Sequence, residues 1–323
     1  MRYMEDQFFS SIARAIAFFD IFDYPLTDRE LFEYAYQLPT KPRLTFASFV
    51  LQMRECTDTR IGCTQGMWHL RGRESIVLLR TERSVHLEKK LDNLTKAVKL
   101  FSGIPFIRSV FVCNTLAFNA ADSDSDIDVL IIARFGRMWI ARLWTTIILS
   151  LYRLRRTKKK IADRICLSFY LADRTLNLSK FRIAPDDIYL SYWLRTLIPV
   201  YDPDSLGESM TRANQDLLAP FFDRARHYTP AFVSPQKYVN KNFIARFFEM
   251  VLSGSFGSTV EKFARSFQRR KIMHNSKSLV HAKDTRVVVN DSMFKFHEND
   301  RRALYRDLWK KRVKEMGIPN YSN

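Results

Sequence analysis

The chain has 323 residues, 46% hydrophobic and 14% aromatic, enough for a sizeable packed core and incompatible with a disordered chain. Its formal charge is +18, and residues 224–315 hold 21 Lys/Arg against 8 Asp/Glu, which is most of the excess. A field of that sign favours polyanionic partners, nucleic acid first and an anionic membrane surface second, and is silent on fold.

The helix pattern that opens at Gln7 runs to about Phe22 and stops before Pro25. Thr27 then caps a second helix, with Asp28 and Glu30 in its first turn, where negative charge suits the dipole. Thr45 opens a third helix through Arg54, and two short extended stretches follow around Gln65-Gly66, a hairpin signal. Three helices and a hairpin form the order of a winged helix-turn-helix module over residues 1–80. Its third helix is apolar and carries only Arg54, so docking is expected of it rather than DNA reading. Ser75 to Leu100 reads as one long charged helix, with 81–104 linking to the next domain.

Phe106–Val112 reads as a buried strand, Ile127–Ala133 as a second and Ile165–Leu171 as a third, with a helix over 138–154 between the last two. Strand, turn, strand, helix, strand implies a small mixed sheet over 105–185. The helix approaches the length of a membrane span, but Arg142 and Arg153 interrupt it. Trp139, Leu143, Ile147 and Leu151, at steps of four, imply a core-packed helix instead. Beyond Asp186 helices are expected over 186–198, 205–222, 238–273 and 299–315, with Val287–Val289 the one strand-like run. Residues 186–323 thus read as a helical, basic C-terminal region with an internal boundary at Pro230–Pro235. The fold class expected is α+β. The four cysteines show no CxxC pairing, the start of the chain has no cleavage-site grammar, and a cytoplasmic chain without a membrane span is expected.

The segment from Val112 to Ile132 carries the chemistry. Asp126 and Asp128, two apart at the start of a strand, project from one face, while Ile127 and Val129 point into the sheet. Two adjacent carboxylates repel unless a cation lies between them, and hard oxygen ligands suit Mg²⁺ or Mn²⁺. Asn114-Thr115 ends the preceding strand at a bend whose backbone N–H groups and Thr115 hydroxyl suit phosphate oxygens. The basic run Arg155, Arg156, Lys158, Lys159 and Lys160 suits either nucleic-acid phosphates or a solvated helix end. His274, His281 and His297 are read as structural.

Asn114-Thr115, ten intervening residues, then Asp126-Ile127-Asp128 resembles the DNA polymerase β-like nucleotidyltransferase superfamily, whose pattern is Gly-Ser, about ten residues, then Asp-x-Asp. Leu116-Ala117 and Ser125 look like its minimal prokaryotic members. The resemblance covers about 105–175. It implies that Asp126 and Asp128 bind catalytic metals and that Asn114 and Thr115 contact a triphosphate. Asn-Thr replaces Gly-Ser conservatively, since Asn tolerates left-handed backbone and Thr keeps the hydroxyl; Asn119 stands where a later glycine is common. The family's third acid, on the strand after the helix, has no counterpart in Ile165–Leu171: Ser168 is the expected inward position, and Asp163 and Asp173 flank the strand. The function implied is transfer of a nucleoside monophosphate from a nucleoside triphosphate to a hydroxyl acceptor, RNA before DNA, with a tRNA 3′ end among the candidates. The alternative is a catalytically degenerate relative acting as a nucleic-acid-binding regulator or antitoxin-like partner.

Overall fold

Local capping chemistry opens the structure, a computed structural model that describes residues 2–38, 44–183, 186–221, 240–275, 287–296 and 300–319. Helix α1 (Arg2–Asp20) leads into a short strand β1 (Leu26–Thr27). Thr27 and Glu30 cap α2 (Asp28–Tyr34) reciprocally, and Thr45 and Ser48 do the same for α3 (Phe46–Glu55). Strands β2 (Ile61–Thr64) and β3 (Met67–Leu70) pair antiparallel around Gln65 and Gly66, both at positive φ (53° and 75°), the backbone a two-residue hairpin turn requires. β1 pairs with β3, giving a small sheet ordered β1-β3-β2.

The expected long helix over 75–100 is broken at His86 into α4 (Ser75–Val85) and α5 (Leu87–Phe101). α5 is not a solvated link: Leu94, Ala97, Val98 and Phe101 are buried in a core on one face of the main sheet. That sheet comprises β4 (Ile107–Val112), β5 (Ile127–Ala133), β6 (Ile165–Ala172), β7 (Ile198–Tyr201), β8 (Val287–Val289) and β9 (Met293–Phe296). Its order is β7-β4-β5-β6-β9-β8, with β5 and β6 parallel and the other pairs antiparallel. Helix α6 (Met138–Leu151) makes the crossover that the parallel pair needs.

The chain is therefore α+β with a six-stranded mixed sheet, but half of the strands come from beyond residue 185. β7 and β9 lie within segments read as helical or unstructured. Both are short, and burial on the sheet rather than periodicity defines them. The C-terminal region also supplies α7 (Ile188–Thr196), α8 (Leu206–Ala213), α9 (Gln215–Leu218), α10 (Phe243–Val251), α11 (Ser255–Asn275) and α12 (Arg302–Glu315). The helix expected over 238–273 divides at a tight corner after Leu252, where a Cβ on Gly257 would meet the Leu252 carbonyl oxygen at 1.8 Å. The Pro230–Pro235 boundary, His281 and His297 lie outside the described residues.

The sheet separates two cores. Val110, Val112, Val129 and Ile131 face α5, α6 and α11, whereas Phe111, Cys113, Leu130 and Ile132 face α1, α7 and α12. α1 belongs to the second core without a hinge: Phe18 stacks on Tyr192 of α7 at 3.9 Å, and Arg195 of α7 forms a buried ion pair with Glu33 of α2 at 2.8 Å. In α6 Met138, Trp139, Ile140, Ala141, Thr145 and Leu149 are buried, so Trp139 of the expected stripe is in the core, while its Ile147 and Leu151 are exposed. Steps of four drift about 40° per step around a helix of 3.6 residues per turn, so the stripe read from sequence rolls off the core. Among the described residues no helix is long and apolar enough to cross a membrane.

Candidate active site

Strand alternation puts Asp126 and Asp128 on the side of the sheet that α1 and α7 cover, at the start of β5. The turn that delivers them is held from several sides. Arg83 of α4 donates to Asp122 (2.7 Å) and to the carbonyls of Phe22 and Asp23. Lys90 of α5, fully buried, donates to the Ser125 carbonyl (2.7 Å) and to Asp163 (2.8 Å). Ser125 Oγ accepts from the Asp122 amide. An acidic loop that were merely solvated would not recruit two buried cations, so the turn is a fixed part of the fold.

The bend after β4 is a short 3₁₀ turn over Asn114–Phe118. Asn114 (φ 58°) and Asn119 (φ 56°) both take left-handed backbone, the conformation for which asparagine is the best substitute for glycine. The Asn114 amide also faces the carboxylates. Its Nδ2 donates to Asp128 Oδ2 at 2.7 Å, while its Oδ1 accepts from Trp193 Nε1 at 3.0 Å and from the Tyr189 hydroxyl at 3.3 Å. Trp193 and Tyr189 thereby fix the amide so that its donor, not its acceptor, meets the carboxylate.

The position opposite Asp128 on the parallel strand β6 is Cys166, not Ser168. Ser168 shares the face of Cys166 but lies further along β6. The two flanking acids are committed elsewhere. Asp163 pairs with Lys89 and Lys90 at 2.7 and 2.8 Å. Asp173, beyond the far end of β6, accepts from the Phe135 amide. No third carboxylate joins the pair among the described residues; a thiol does.

Ligand atoms of Asp126, Asp128 and Cys166 all lie within 4.8 Å of one another. Oxygen ligands about 2.1 Å from a Mg²⁺ ion sit about 3 to 4 Å apart, so a slight inward rotation of the two carboxylates matches one divalent cation. Two observations on the cluster's charge bear on that fit. Arg156 Nη1 comes within 2.8 Å of Asp126 Oδ2 and donates to Cys166 Sγ at 3.4 Å. Its approach to Oδ2 is off the hydrogen-bond direction, so that buried oxygen accepts no directed bond. Burial first, and the Asp126 charge second, push the Asp128 carboxyl up to about 6, against the pull of Asn114, Cys166 and Arg156. Burial and the two carboxylates likewise push the Cys166 thiol up. The site carries more negative charge than its surroundings neutralise, which is the condition under which a cation binds.

Two cavities meet at Asn114. One, of about 200 Å³, is lined by Thr115 and Asp128 together with Phe18, Phe22, Trp193 and Tyr305. The other, of about 220 Å³, runs on between Phe169, Trp193, Tyr189 and Tyr305, with Lys295 and Arg301 in its wall. Arg155 is half-buried and Arg156, Lys158, Lys159 and Lys160 are exposed, in the loop between α6 and β6. Arg156 is therefore both part of the basic run and part of the site.

Sequence reasoning brings Asp126, Asp128, Asn114 and Thr115 together; in the structure Asn114, Thr115 and Asp128 line one cavity, and Asp126 lies beside Asp128. It overlooks Cys166, Lys90, Arg83, Tyr189 and Trp193. Cys166 alternates with Ser168 on one face of β6, a legible signal, but which of them meets Asp128 depends on the register of a parallel pair. Comparison with known proteins returns no match to any family model, any curated protein or any solved structure.

Proposed function

We propose that the chain is a metal-dependent nucleotidyltransferase of the DNA polymerase β-like type, acting on a nucleoside triphosphate and a hydroxyl acceptor, with RNA the favoured acceptor. The convergence of Asp126, Asp128 and Cys166 beside a left-handed bend at the mouth of an aromatic-walled cavity supports this reading above all. In this proposal residues 1–80 are a winged-helix-like module packed against a nucleotidyltransferase sheet.

Asp126 and Asp128 would hold Mg²⁺ or Mn²⁺, which would neutralise phosphate charge and supply Lewis-acid polarisation. Thr115 and the backbone of the bend grip phosphate oxygens, and Asn114 keeps Asp128 oriented toward them. The planar base stacks among Trp193, Tyr189 and Tyr305, the aromatic walls of the two cavities. The acceptor hydroxyl displaces pyrophosphate from the α-phosphorus: the P–O bond to the acceptor forms, the bond to pyrophosphate breaks, and the hydroxyl proton passes to solvent. Positioning and electrostatics carry the rate, since no protein group forms a covalent bond. Lys158, Lys159 and Lys160, exposed beside the site, attract the acceptor's phosphates.

A second reading, a catalytically degenerate nucleic-acid-binding regulator, is favoured by one observation: Arg156 occupies the space beside Asp126 that a cation would take. Incubation with α-labelled nucleoside triphosphates, Mn²⁺ or Mg²⁺ and total RNA separates the two. Label on RNA that disappears in Asp126→Ala and Asp128→Ala supports transfer. Nucleic-acid binding without incorporation under either metal supports the regulator.

A further inference from the structure

α10 and α11 present an unusual outer surface. Their inward sides carry the buried Ala245, Ala264 and Gln268, with Phe248, Val260 and Ile272 packed against the core beneath the sheet. Outward on α10 lie Phe243, Ile244, Phe247, Met250 and Val251, spaced i, i+1, i+4, i+7 and i+8, so that they form one helical stripe. Phe256, Phe263 and Phe267 continue the pattern on α11. Phe243 is 79% exposed and Phe263 72%, values at which a phenylalanine contributes nothing to the core. Eight of the seventeen strongly exposed large apolar side chains among the described residues lie on these two helices.

Charge is sorted along the same helices. Their two carboxylates both turn inward: Glu249 accepts from the Phe106 amide and Lys241, and Glu261 accepts from the Trp139 and Ile140 amides at 2.9 Å each. The exposed charges that remain, Arg246, Lys262, Arg269, Arg270 and Lys271, are all basic.

We propose that α10 and α11 dock on an anionic lipid surface, with the phenylalanine stripe in the acyl boundary and the basic side chains at the headgroups. An amphipathic helix with aromatic residues on one face and Lys/Arg around it is the chemistry such interfaces select. A second copy of the chain fits less well, because a two-fold contact would bring basic rims together. Single-stranded nucleic acid uses aromatic faces but has no use for Ile244, Met250 and Val251 in the same stripe. The surface is separate from Asp126 and Asp128, so this inference stands independently of the proposed transferase activity.

The test is co-sedimentation of the full chain with phosphatidylcholine vesicles, with and without phosphatidylserine. The wild type partitions at least about tenfold more strongly onto the serine-containing vesicles, weakening with salt. Phe243→Ser/Phe247→Ser/Phe263→Ser abolishes the binding, and Arg269→Glu/Arg270→Glu removes the preference for anionic lipid. These side chains are exposed, so circular dichroism of both variants matches wild type. Absence of pelleting, or pelleting indifferent to the triple substitution, overturns the proposal. So does sedimentation showing a wild-type dimer that the triple variant dissociates, or vesicle-independent RNA binding lost in the same variant.

Discussion

Replacing Asp128 by Asn removes a charge that the fold itself disfavours. Burial and the neighbouring Asp126 charge push its carboxyl up to about 6, roughly two units above an unfolded aspartate. At about 1.4 kcal/mol per unit, ionising it in the folded chain costs up to about 3 kcal/mol. The substituted side chain retains an oxygen to accept from Asn114 and gains an amide to face Asp126, so little is lost in exchange. We expect Asp128→Asn to be more stable than wild type by about 1 to 3 kcal/mol at pH 7 without divalent cations, a rise of several degrees in Tm. The sign follows from proton binding. Between about pH 4 and 6 the folded chain holds a proton that the unfolded chain has released, so wild-type stability falls as pH rises through this window. The variant's advantage is complete above pH 6 and absent below about pH 4. Thermal melts across pH 4–8 measure it directly. A variant that is neutral or destabilised at pH 7, or whose advantage does not fade on acidification, refutes the reasoning that burial and Asp126 strain this carboxylate.

Further outcomes follow from the same geometry. If the proposed transferase reading holds, Cys166→Asp supplies a third oxygen ligand and shifts metal preference toward Mg²⁺ over Mn²⁺, read as the ratio of transfer rates with the two ions. Arg156→Ala removes the internal cation. It lowers Tm in metal-free buffer, and Mn²⁺ restores more of that loss than it adds to wild type, as calorimetric melts would report. Lys90→Met breaks a buried ion pair and frees the acidic turn, costing about 3 kcal/mol by chemical denaturation. Burial alone would raise the Asp163 carboxyl, but hydrogen bonds from Lys89 and Lys90 hold it below the usual range. The wild type therefore loses this contribution as pH falls through the carboxylate range, and the Lys90→Met acid limb is flatter.

The α+β character and the strands around the site are legible in local patterning. β5 is an apolar run with two acids at its head, and Thr27 and Thr45 announce their helices through short-range bonds. Asn114 and Asn119 are legible because left-handed backbone selects few residue types. What escapes is set by distant partners. β7 and β9 are four residues each and exist because a neighbouring strand is there to pair with. Lys90 sits in a charged helix pattern, and only the fold brings Asp163 and the Ser125 carbonyl to its ammonium. Cys166 meets Asp128 through a parallel register that includes a bulge, which no periodicity encodes. Residues 81–104 read as a link because alternating lysines mask the stripe Leu94, Ala97, Val98 and Phe101.

Titration of Mn²⁺ followed by electron paramagnetic resonance, on wild type, Asp126→Asn and Cys166→Ser with a non-hydrolysable nucleoside triphosphate, bears most directly on the proposed metal site. Saturable Mn²⁺ uptake by wild type, tightened by nucleotide, abolished in Asp126→Asn and weakened in Cys166→Ser, is the outcome expected here. Uptake that is absent from wild type, or unchanged when Asp126 loses its charge, contradicts it.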